Sequence, residues 1–192
     1  DQNTDMPEGA GEIRGDQMAT LQGVLHERWT SLRLGQLLGE LEHPSVQENL
    51  TDADKGLIRE TRRSYDRSTK LPRTLVEELA RVQAGSFESW RKARANNDFA
   101  SFAPWLGRTI KLQREIADRL GFVETRYDAL LDQYEPGMTS SKLDKLFAPV
   151  REVSATLLKR IQASGHTVDD SCLQGNFSEE KQMELSLSLI HI

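Results

Sequence analysis

The sequence contains a single cysteine, Cys172, among its 192 residues. That excludes an intrachain disulfide framework and a cysteine-based zinc site. Histidine is scarce as well, with four copies: His26, His43, His166 and His191. Valine and isoleucine together number 15, against 25 leucines. Strands draw on β-branched residues, so the balance favours an all-α fold. No run of 18 apolar residues occurs, which excludes a hydrophobic membrane-spanning helix. There is no Gly-x-Gly-x-x-Gly and no phosphate loop. Basic charge is not in excess. The 25 Lys and Arg against 30 Asp and Glu give a net charge of −5 and a pI near 5.5. An acidic balance argues against nucleic acid as the main partner. What is present is a 21.7 kDa chain, long enough to bury a real core.

Leucine-rich spacing supplies the architecture. Met18, Leu21, Leu25, Trp29 and Leu32 recur at three- or four-residue intervals and continue to Leu41. This predicts one long helix over 14–41 with that apolar stripe facing the core. His43-Pro44 stops it. Thr51 with Asp54 reads as a capping box ahead of Leu57 and Ile58. Pro72 opens a third helix through Leu75, Val76, Leu79 and Val82, reaching Trp90 and Ala93. Gly85 weakens its middle by ~1 kcal/mol relative to alanine. Pro104 starts a fourth helix, and Gly121 is placed to end it. A short helix covers 127–134 and breaks at Pro136-Gly137. The next carries Leu143 to Ile161, with Pro149 expected to kink or restart it. Residues 166–176 form a loop, and Ser178 opens a final short helix. The picture is of long antiparallel helices forming part of a larger, mostly helical body.

Catalytic motifs are sparse. His-Glu-x-x-His would place two metal-binding nitrogens on one helical face with a general base beside them. Here His26-Glu27 is followed by Thr30 where the second histidine belongs. His26 is therefore read as a hydrogen-bonding residue, and His43 as a helix-end residue. Cys172 has no recognisable base partner, so it is an incidental thiol. Arg59, Arg62, Arg63 and Arg67, interleaved with Glu60 and Asp66, read as a salt-bridged helix face. Asp128, Asp132 and Glu135 place carboxylates at four- and three-residue spacing. They read as exposed groups or as partners of arginines such as Arg126.

Four stretches add a more specific signal. They are Asp1 to Pro7 continuing to Arg14, and Leu21 to His26. The third is Trp90-x-x-Ala93-Arg94 with Asn97-Asp98-Phe99, Phe102, Pro104 and Leu106. The fourth, and the most distinctive, is the run Tyr127 to Met138. Together they resemble the N-terminal portion of the Carboxypeptidase Taq family of metallocarboxypeptidases, over about residues 1–184. The resemblance implies a cytoplasmic, commonly homodimeric enzyme that removes single residues from peptide C-termini. It implies zinc or cobalt in the intact parent, held by a His-Glu-x-x-His motif and a later glutamate. None of those metal residues maps onto this sequence, so no residue here is assigned as catalytic or metal-binding. No cofactor is expected within the 192 residues themselves.

On this basis 1–184 is the N-terminal helical region of such a peptidase, cut at both ends, and 185–192 is an anomalous tail. The partners implied are peptide substrates and a missing C-terminal catalytic region, with neither nucleic acid nor membrane. Tyr127, Asp128, Asp132, Tyr134 and Glu135 are expected to line a substrate-groove wall or to form the network behind it. Trp90, Phe99, Phe102 and Trp105 are expected to pack the third and fourth helices together. The isolated chain is expected to be inactive. The alternative is a non-catalytic helical binding or scaffold module.

Overall fold

A computed structural model describes Pro7 and residues 9–190. Asp1–Met6 and Glu8 of the first resembling stretch, together with His191 and Ile192, lie outside the described residues. The described residues are all-α, without a strand. The helices are α1 (Gly11–Trp29), α2 (Leu32–Leu41), α3 (Pro44–Gln47), α4 (Asp52–Thr69), α5 (Arg73–Asn96), α6 (Phe99–Leu120), α7 (Arg126–Leu131), α8 (Ser140–Ala163) and α9 (Glu179–Ile190). The chain divides into two compact units, Asp1–Leu143 and Asp144–Ile192.

The most extensive pairing in the first unit is that of α1 with α5. Its chemistry differs from the expected apolar stripe. The buried residues of α1 are Gly11, Gly15, Ala19 and Gly23. At four-residue spacing they form one ridge of the helix. Absent or minimal side chains let the α5 backbone come close, so the large residues turn aside. Leu21, Leu25 and Leu32 are exposed, and Met18 is half-buried. The predicted 14–41 helix is also two helices. Ser31 breaks it, and its hydroxyl accepts from the Leu34 N–H to start α2.

Other boundaries follow their caps. Thr51 and Asp54 form the reciprocal box at α4, the Thr51 N–H donating to Asp54 Oδ2 at 3.1 Å. Pro72 immediately precedes α5. Helix α6 begins at Phe99 rather than Pro104, because Asp98 Oδ1 accepts from the Ser101 N–H. Pro104 thus lies inside α6, where its missing N–H removes one ladder bond. Gly121, at φ +83°, ends α6 in a conformation suited to glycine. Helix α8 runs across Pro149 without a restart.

The core joins Leu75 and Val82 of α5, Leu112, Ile116, Ala117 and Leu120 of α6, and Ala129 of α7. Leu71, Leu79, Trp105 and Leu130 pack against it. Gly85 belongs to this seam. A Cβ there would overlap the Trp105 ring, so the glycine makes room for an indole lying across α5. In the second unit, α9 has no buried residue, and neither does the part of α8 after Leu143. Phe147, Val150, Val153, Leu157 and Ile161 are more than half exposed there.

Two substitutions separate these roles of glycine. Gly15→Ala adds a methyl at ordinary contact distance, 3.6 Å from Ala84 Cβ. It should raise stability in urea unfolding by about 0.5–1 kcal/mol through helix propensity. Gly85→Ala gains the same propensity but overpacks against Trp105, and should lower stability by about 1–3 kcal/mol. Equal effects at the two positions would contradict the seam.

Candidate functional site

The distinctive Tyr127 to Met138 run forms α7 and the turn after it. Asp128 is buried, with 3% of its surface exposed. A buried carboxylate must be hydrogen-bonded, and this one is saturated by neutral donors. Its Oδ2 accepts from the Glu124 and Thr125 N–H groups, both at 3.0 Å. Its Oδ1 accepts from the Ser140 N–H at 2.8 Å, the Ser140 hydroxyl at 2.7 Å and the Thr125 hydroxyl at 3.1 Å. The carboxylate thus ties the entry of α7 to the first turn of α8. The Ser140 hydroxyl and N–H, then the Thr125 and Glu124 N–H groups, hold its pKa well below the usual aspartate range.

Asp132, one turn later, is neutralised differently. Its Oδ2 accepts from Arg63 Nη2 at 2.6 Å and from Arg67 Nη1 at 2.5 Å. Arg63 also donates to the Asp132 carbonyl at 2.6 Å. Its Oδ1 accepts from the Gly137 N–H at 2.9 Å, where Gly137 adopts φ +76°. Burial pushes the Asp132 carboxyl up, but the Gly137 N–H and the two guanidiniums outweigh it and leave the pKa lowered. Lys70 Nζ donates to the Leu120 carbonyl at 2.9 Å, capping the end of α6.

These groups surround a cleft of about 510 Å³ between α4, the end of α6 and the α7 turn. Asp128 and Asp132 both line it; Tyr127, Tyr134 and Glu135 do not. Tyr127 is 59% exposed and Tyr134 83%, and Glu135 is also exposed. Arg126, read from sequence as a partner of this cluster, instead pairs with Asp118 at 2.6 Å. Of the four aromatic residues, Trp105 lies over Gly85 and stacks with the Arg108 guanidinium at 5.3 Å. Phe102 is half-buried and meets Phe99 edge-on at 6.5 Å, while Phe99 itself is 66% exposed. Trp90 is exposed and sits 6.0 Å from Phe87.

Sequence reasoning missed the meeting of Arg63 and Arg67 with Asp132. Both clusters were visible, but 65 and 69 residues separate the partners. The described residues do not fit a metal centre. No group of three or more His, Cys, Asp or Glu among them could hold a metal ion. His26 lies on α1, His43 precedes α3 with Nδ1 2.8 Å from the Ser45 hydroxyl, and His166 lies in the second unit. No helix among the described residues is long and apolar enough to cross a membrane.

The family model of the Carboxypeptidase Taq (M32) metallopeptidases matches residues 1–192. The chain belongs to this family. The thermostable carboxypeptidase 1 of Thermus thermophilus is 38% identical over 200 residues, covering 99% of this chain and 39% of that protein. Carboxypeptidase 1 of Bacillus subtilis is 31% identical over 187 residues, covering 97% and 37%. A crystal structure described as BsuCP matches with a TM-score of 0.89 at 30% identity, covering 98% of this chain and 37% of that one. The Trypanosoma cruzi metallocarboxypeptidase 1 matches with a TM-score of 0.68 at 33% identity, covering 95% and 37%. The M32 chain thus spans about two-fifths of the length of these relatives.

The lowered carboxyls of this M32 chain fix the sign of its acid response. Both aspartates stay ionised in the folded state below the pH at which the unfolded chain takes up protons. Their contribution is complete above about pH 4 and is lost as pH falls below it. Asp128→Asn should lower the thermal midpoint at neutral pH by several degrees, because its amide cannot accept at both positions. It should also flatten the decline in stability between about pH 4 and 2. Identical acid profiles for the two proteins, followed by circular dichroism, would contradict this role.

Proposed function

We propose that this chain is the N-terminal helical region of a metal-dependent carboxypeptidase that releases single amino acids from the C-termini of peptides. The observation behind this reading is the family match over residues 1–192, together with relatives that are themselves named carboxypeptidases. The metal motif lies in the part of the enzyme beyond these residues. The intact enzyme takes zinc or cobalt, works in the cytoplasm and assembles as a homodimer. Within it, this chain forms helical framework and part of a groove wall. The outward-facing Tyr127, Tyr134 and Glu135 meet the peptide side of that wall. Asp128 and Asp132 hold the α7 turn from behind through Ser140, Arg63 and Arg67. The isolated chain is inactive, since His26, His43 and His166 lie on separate segments and no donor set assembles among its described residues.

A paired assay tests both statements. Full-length protein, loaded with zinc or cobalt, should release the terminal residue from a peptide with a free C-terminus and not from its amidated counterpart. The 192-residue chain should release none under the same conditions. Release by the isolated chain would overturn the assignment of the metal motif to the absent region. No release by the loaded full-length protein would favour a non-catalytic helical module instead.

A further inference from the structure

In the peptidase reading Arg63 and Arg67 of α4 only hold Asp132, which leaves the rest of this basic face without a role. Arg59, Arg63 and Arg67 recur at four-residue spacing and form one stripe along α4, which Lys70 extends from the C-cap position three residues on. Like charges at that spacing destabilise a helix by a few tenths of a kcal/mol per pair. The fold nevertheless aims this stripe into the cleft bounded by Leu120 to Val123 and Gly137 to Thr139.

Compensation within the cleft is incomplete. Five cations line it, Arg62 among them, against three carboxylates. Arg62 is matched outside the lining by Glu42, with two hydrogen bonds of 2.8 Å, and also lies 3.7 Å from Asp66. Arg59 is paired with its neighbour Glu60 at 3.1 Å. The inner group differs. Arg63 and Arg67 are about one-quarter exposed and share a single carboxylate oxygen of Asp132. Asp128 spends both oxygens on Ser140, Thr125 and Glu124 rather than on a guanidinium. Lys70 meets a carbonyl, which carries only a partial charge. Arg63, Arg67 and Lys70 are therefore directly met by one carboxylate.

We propose that this cleft binds a small doubly charged oxyanion of the phosphate class, held by Arg63, Arg67 and Lys70. Guanidinium groups suit such an ion because their N–H groups match its oxygens in pairs. Arg63 lines the cleft and makes its bonds to Asp132 through Nη2. The site is independent of the peptidase chemistry.

Inorganic phosphate is the probe. Full-length protein, stripped of metal with a chelator, is titrated by calorimetry at constant ionic strength maintained with chloride. Saturable one-to-one binding is expected, with acetate giving no saturation. Lys70→Met, at an exposed position, should weaken phosphate affinity about tenfold through loss of one charge-assisted contact. Arg63→Met should weaken it at least as much, with the unfolding curve of each variant recorded alongside. Absence of saturable binding, equal binding of acetate, or a folded Lys70→Met protein with undiminished affinity would each overturn the proposal.

Discussion

The close approach of α1 to α5 sets the frame of the first unit. Gly11, Gly15, Ala19 and Gly23 bring the two backbones together along one ridge. Arg81 reaches Asp16 at 2.9 Å, and Arg73 links Glu27 with Glu77, flanking that ridge with charge. These exposed pairs are worth little individually. Their value lies in fixing the register of a contact that has few large side chains to interlock. With one face of α5 occupied by α1, Leu75 and Val82 face α6 instead. Each large apolar residue buried there stabilises the unit by roughly 1.5–3 kcal/mol. The end of α6 then supports α7 through Leu120 and Ala129.

Two aspartates one helical turn apart show how environment divides a common chemistry. Asp128 is surrounded by hydroxyl and N–H donors and acts as a local clasp between α7 and α8. Asp132 is met by two arginines from α4 and acts at long range. A carboxylate withdrawn from water, wholly as Asp128 is or in part as Asp132 is, is tolerable only with partners in place. Together they tie the Tyr127 to Met138 run to α4 and to the first turn of α8.

The sequence made some of this readable and concealed the rest for specific reasons. Caps and breakers were legible: Thr51 with Asp54, Pro72 and Gly121 each mark the boundary they predict. The break at Ser31 was hidden because leucine spacing continues straight through it. Pro104 drew the start of α6 too late, since proline favours a first turn, while the actual cap was Asp98. The α1 face was misread because hydrophobic periodicity weighs large residues, and the buried ridge consists of glycine and alanine. The two aspartates were visible as a spaced pair. The partners of Asp132 were not, because ion pairs between distant segments leave no local pattern.

The central claim is that α1 seats on α5 through its small residues and turns its leucines away. Cysteine cross-linking tests it most directly. A Cβ at Gly15 would lie 3.6 Å from Ala84 Cβ, within the range a disulfide spans. In a Cys172→Ser background, Gly15→Cys with Ala84→Cys should oxidise to near completion. Leu21→Cys with Ala84→Cys should stay reduced. Efficient cross-linking of the Leu21 pair, with the Gly15 pair left free, would contradict the account.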